Sequence, residues 1–117
     1  MITVPAGFQV LVATRPVDFR KGADGLAALV QETLGHDPFC GTIYVFRSRR
    51  ADRVKLLAWD GSGLILAWKR LEHSAFKWPA VADGVIRLTP AQLAALLDGL
   101  EWSRLQTREV ARPMAAS

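Results

Sequence analysis

The sequence predicts an α+β fold: a mostly antiparallel sheet with two main helices, in a single domain. Three observations lead there. A chain of 117 residues fits one domain. Half of those residues are hydrophobic and 22% are charged, enough for a packed core and unlike a disordered chain. The elements run strand, helix, three or more consecutive strands, helix, and consecutive hairpin-linked strands make antiparallel sheets. Residues 1–103 are assigned to this domain and 104–117 to a flexible tail, because "SRLQTREVARPMAAS" has no sustained periodicity.

The run "FQVLVAT", from Phe8 to Thr14, is apolar and β-branched between Pro5-Ala6-Gly7 and Arg15-Pro16, and predicts a buried strand. "RPVDFRKGADG" reads as a loop or broken helical turn. From Asp24 the period changes: Leu26, Leu29, Val30 and Leu34 share a helical face, with Asp24 as N-cap and Gly35 as the stop. "HDPFCG" is then a turn and "TIYVFRS" a strand. Val54–Trp59 and Leu64–Arg70 flank "DGSG" and predict a tight hairpin. Within it Lys55, Leu57 and Trp59 alternate with Val54, Leu56 and Ala58, giving one mixed face and one apolar face. "AFKWP" and "VIRLT" predict two shorter strands around the turn "VADG". In "TPAQLAALLDGL", Thr89 is the cap, Pro90 the first helical residue and Gln92 completes a capping box. Leu93, Leu96, Leu97 and Leu100 form its buried stripe.

Net charge is +4, and its distribution is uneven. Val45 to Pro79 holds eight basic and three acidic residues, a net +5, while the remainder sums to −1. Concentrated positive charge is the footprint of a surface for a polyanion. Arg47, Arg49, Arg50 and Arg53 are the first candidates for phosphate contacts, since Arg favours bidentate contact. Lys55, Lys69 and Arg70 support them, with Arg20, Lys21 and Lys77 as additional candidates. Strand alternation lets only part of this set share a face, although the "RSRRADR" loop can turn several side chains one way. Phe46, Trp59, Trp68, Phe76 and Trp78 could stack on bases. Trp59 and Trp68 as cross-strand core partners is the preferred reading of the aromatics.

Other chemistry finds less support. Cys40 is the only cysteine, which excludes an intrachain disulfide and a cysteine-based zinc site. Cys40 and His36 flank a "DPF" turn without a recognisable motif, so packing is preferred to nucleophilic catalysis. His36 and His73 have no partner at ligand spacing. Among the carboxylates, Asp24 reads as a cap, and Asp60 and Asp83 lie in glycine-containing turns. In "ADRVKL" the spacing from Asp52 to Lys55 is one residue too long for the acid-then-lysine element of nucleases. No catalytic residue, metal ligand or cofactor is therefore expected. The N-terminus lacks signal-peptide features and no window approaches a membrane span, so a cytoplasmic protein without membrane contact is expected.

The ordered set "RKGADGL", "FRSRRADRVKLLAWDGSG", "KRLE" and "FKWP", followed by "LTPAQLAALLDGLEW", resembles one family. It is similar to TnpB, the accessory protein encoded by the second open reading frame of insertion-sequence elements of the sixty-six family, and not to the RNA-guided nuclease of that name. The resemblance runs from Val4 to Trp102. The family pattern falls on Asp18, Arg20, Lys21, Gly22, Asp24, Gly25 and Leu26, then on Phe46, Arg49, Arg50, Asp52, Arg53, Lys55, Trp59, Asp60, Gly61 and Gly63. Lys69, Arg70, Leu71, Glu72, Phe76, Trp78 and Pro79 complete it. Ser74 and Ala75 depart from it, standing where family members commonly have a glycine and a basic residue. The resemblance implies a role in DNA transposition beside a separate transposase that carries the catalytic acids. Two functions follow as expectations: a non-catalytic DNA-binding accessory factor, or a module that docks on the transposase without touching DNA. A metal-dependent nuclease is a minor third. Neither residues nor resemblance implies an oligomeric state.

Overall fold

Val10–Ala13 (β1) is apolar at every position because it lies centrally in the sheet and is covered on both faces. The computed structural model describes residues 8–79 and 84–100. After β1 the chain crosses through Ala23–Glu32 (α1) and returns as Ile43–Arg47 (β2), parallel to β1, with Val10 opposite Ile43 and Val12 opposite Val45. The remaining pairs are antiparallel. Arg53–Trp59 (β3) pairs with β2, Leu64–Arg70 (β4) with β3, and Val85–Leu88 (β5) with β1. Pro90–Leu97 (α2) closes the order, and across the sheet the strands run β4-β3-β2-β1-β5. This is the expected α+β architecture, with the β1–β2 crossover as the one parallel pair among the described residues.

Period-two alternation sends the strand side chains to two cores. On one face Leu11, Tyr44, Phe46 and Leu57 meet Leu26, Ala27 and Val30 of α1. On the other, Val12, Val45, Val54 and Leu56 meet Leu93, Leu96 and Leu97 of α2, together with Phe76. Burying each large side chain contributes about 1.5–3 kcal/mol.

The structure revises several local expectations. α1 begins at Ala23 with Gly22 as a cap that lacks a side-chain bond, so Asp24 lies in the first turn, where the helix dipole favours a carboxylate. The helix stops before Leu34. Gly35, at φ 70°, then turns the chain so that the His36 amide reaches the Val30 carbonyl at 3.0 Å. "AFKWP" is no strand: Phe76 and Trp78 are held singly, by the Phe76 amide on the Ala51 carbonyl (2.7 Å) and by Trp78 Nε1 on the Ala13 carbonyl (2.8 Å). The Thr89–Gln92 capping box forms as expected. Leu100 leaves the buried stripe and is exposed, because α2 ends in a Schellman turn: the Leu100 amide donates to Ala95 O and the Gly99 amide to Leu96 O, both at 2.9 Å. The 104–117 tail, and the "VADG" turn apart from Gly84, lie outside the described residues. Among the described residues no helix is long and apolar enough to cross a membrane.

Candidate nucleic-acid interface

The loops that leave the carboxyl ends of the parallel strands β1 and β2 carry the basic residues, and they are tied together. The Val17 amide donates to Arg47 O at 3.0 Å, and Arg47 Nε returns a bond to Thr14 O at 3.3 Å. Pro16, Val17, Asp18, Phe19 and Arg20 of the first loop and Ser48, Arg49 and Arg53 around the second thereby line one hollow. Phe19 and Arg53 also line the next hollow with Lys55, Leu66 and Trp68, so the two hollows adjoin along these side chains.

The β2–β3 turn is rigidly built. Ser48 and Arg53 close it through the Ser48 amide on Arg53 O (3.0 Å), while Ser48 Oγ accepts from the Arg53 amide (3.1 Å) and donates to Asp52 (3.0 Å). Ala51 takes the left-handed conformation at φ 58° and is buried, with its amide on Ser48 O. Arg49 and Arg50 occupy the two corner positions. Both are exposed, and neither guanidinium has a partner among the described residues. The turn thus presents two uncompensated cations at its tip.

Strand register decides the rest. Arg53 faces Arg70 and Lys55 faces Trp68, all on the α1 face. Arg53 is half exposed, 4.0 Å from Asp52 and 5.9 Å from the Phe19 ring. Arg70 has an exposed contact to Glu72 at 3.4 Å. Lys55 is used internally: its ammonium donates to the Phe19 and Lys21 carbonyls, 2.8 Å each, and lies over the Phe19 ring. It thus positions the loop that presents Arg20 and Lys21. Arg20 grips Asp18 through Nε and Nη2, at 3.0 and 2.8 Å, and that bond holds the Asp18 carboxyl far below the usual range.

Three candidates lie apart. Arg47 reaches backbone oxygens of Thr14 and Arg49. Lys69 projects to the opposite face, where its ammonium donates to Leu97 O at 2.6 Å and complements the C-terminus of α2. Lys77, exposed, belongs to the 71–79 segment on that same face.

The aromatics divide as sharply. Phe46 and Phe76 are core, and Trp78 packs against it. Trp59 and Trp68 are not cross-strand partners: Trp59 faces Leu64 and meets Phe39 edge-on at 5.5 Å, whereas Trp68 is 59% exposed. Phe19, absent from the sequence candidates, is the aromatic shared by both hollows. Cys40 is exposed rather than packed, with Sγ 3.2 Å from Thr42 Oγ1, and the Thr42 hydroxyl pulls the thiol below its ordinary pKa. Among the described residues no group of three His, Cys, Asp or Glu side chains converges as metal ligands would.

Fold and site together define a small α+β domain with a basic, partly aromatic groove at one corner of its sheet. The IS66 Orf2 like protein family model matches residues 8–107, and the chain belongs to that family, which makes it a transposition-associated accessory protein. It is 47% identical over 113 residues to the uncharacterised protein y4jC of Sinorhizobium fredii, covering 97% of both chains. A second protein of that organism, the uncharacterised y4hO, is 40% identical over 105 residues, 88% of this chain and 91% of the other. No solved structure matches.

Proposed function

We propose that the chain is a non-catalytic accessory protein that binds DNA through its phosphates and helps assemble the transposition complex with the element's separate transposase. The observation that carries this reading is the groove, where Arg20, Arg49 and Arg53 come from two distant segments onto one surface. Arg49, Arg50, Arg53 and Arg70 are the phosphate contacts, with Arg20 and Lys21 at the margin. Arg47, Lys55 and Lys69 hold the loops and α2 instead, since their donors already meet backbone oxygens. Phosphate contact carries no sequence information, so binding has little sequence preference.

The second reading, docking on the transposase without DNA, draws on the edge strand β4, where Trp68 is exposed on the α1 face and Ile65 on the opposite one. Titration of a fluorescent duplex with the purified chain separates the two. Four neutralised phosphates weaken binding roughly a hundredfold between 50 and 200 mM salt. No binding at low salt, or binding indifferent to salt, contradicts the DNA reading. Cleavage of that duplex on adding magnesium contradicts the non-catalytic one.

A further inference from the structure

Trp68 is the most exposed large apolar side chain among the described residues, at 59%, and it projects from a strand rather than a flexible loop. Leaving an indole in water forgoes burial that the fold grants to Phe46 and Phe76. Its surroundings are cationic. Lys55 stands directly opposite on β3, while Arg53 and Arg70 form the next facing pair, two residues along each strand and on the same face. Phe19 lines the hollow beside it, with Arg53 and Lys55. An apolar protein segment would have to desolvate these cations to cover the indole. A nucleotide would instead offer a π-face to the ring and a phosphate to the arginines. We propose that Trp68 is a stacking platform for an unpaired base, and that the groove therefore prefers single-stranded DNA to duplex. This rests on the DNA-binding reading above. In a duplex both faces of each base are occupied by its neighbours, so Trp68 adds nothing there and only the phosphate contacts remain.

Anisotropy titrations of the full chain against labelled oligo-dT and a duplex of equal length, at one low salt concentration, provide the test. Loss of one stacked base lowers affinity about 5- to 150-fold. Trp68→Ala is therefore expected to lose that factor on oligo-dT and less than about twofold on duplex, with Trp68→Phe restoring most of the loss. Tryptophan emission should fall when oligo-dT binds, and this quenching should vanish in Trp68→Phe. Because the side chain is exposed, the variants should keep the wild-type circular dichroism spectrum. Equal loss on both DNAs, or no loss on oligo-dT, overturns the proposal while leaving phosphate-driven binding intact. Transposase capture lost in Trp68→Ala with DNA binding unchanged overturns it in favour of a protein partner. Failure of the wild-type chain to bind either DNA overturns the underlying reading as well.

Discussion

Lys55 lies in the most basic stretch of the chain, yet its ammonium faces inward to the Phe19 and Lys21 carbonyls. Replacing it with Met removes that donor from two carbonyls that water can reach, and a lost hydrogen bond of this kind costs about 0.5–1.5 kcal/mol. Lys55→Met should therefore lower the urea midpoint accordingly; an unchanged midpoint would deny Lys55 its loop-holding role. Asp60 makes a different residue-scale case. Its carboxylate accepts from the Ser62 and Gly63 amides at 2.9 Å each and from the Ser62 hydroxyl at 3.1 Å, and the Ser62 amide contributes most to holding its pKa below the ordinary value. A pKa depressed by folding stabilises the fold above the unfolded-state value, and that stabilisation is lost as pH falls through the folded one. The stability gap between wild type and Asp60→Ala should thus be full at neutral pH and close progressively below about pH 4. A gap independent of pH would assign the effect to packing instead.

At the scale of elements, the fold was legible wherever a local rule sufficed. The Asp-Gly-Ser-Gly turn, the Thr89–Gln92 capping box and the alternation of β3 are all short-range signals, and all are present. One local signal was misplaced, since Gly22 and not Asp24 caps α1, and the other misread features were set by tertiary contacts. "AFKWP" has strand composition but pairs with nothing, because Phe76 and Trp78 drop into a core already framed by β1 and β3. The end of α2 depends on Gly99, at φ 77°, where an added Cβ would lie 3.3 Å from Leu71 Cδ1. Gly99→Ala should cost about 1–2 kcal/mol for the left-handed backbone alone, read from chemical denaturation. A neutral result would mean that the Schellman turn contributes nothing to stability.

Across the whole molecule the candidate site was half legible. Charge density ranks Arg47 with Arg49, Arg50 and Arg53 and places Lys55 and Lys69 in support, but composition does not say which cations face inward, as Arg47, Lys55 and Lys69 do. One further step was available from sequence. The hairpin turn fixes register, and register pairs Trp68 with Lys55, not with Trp59. Phe19 could not be found that way, since its place beside β3 depends on the Lys55 anchor across 36 residues of chain. Such sorting of cations into a DNA-facing group and a fold-holding group is measured most directly by the salt dependence of duplex binding. Each phosphate contact contributes about 0.9 to the log–log slope, so four contacts give a wild-type slope near −3.6. Arg49→Ala combined with Arg50→Ala should shallow it by about 1.8, whereas Lys69→Met, on the opposite face, should leave it unchanged. The contradicting result is the reverse: a slope untouched by loss of the turn arginines and shallowed by loss of Lys69.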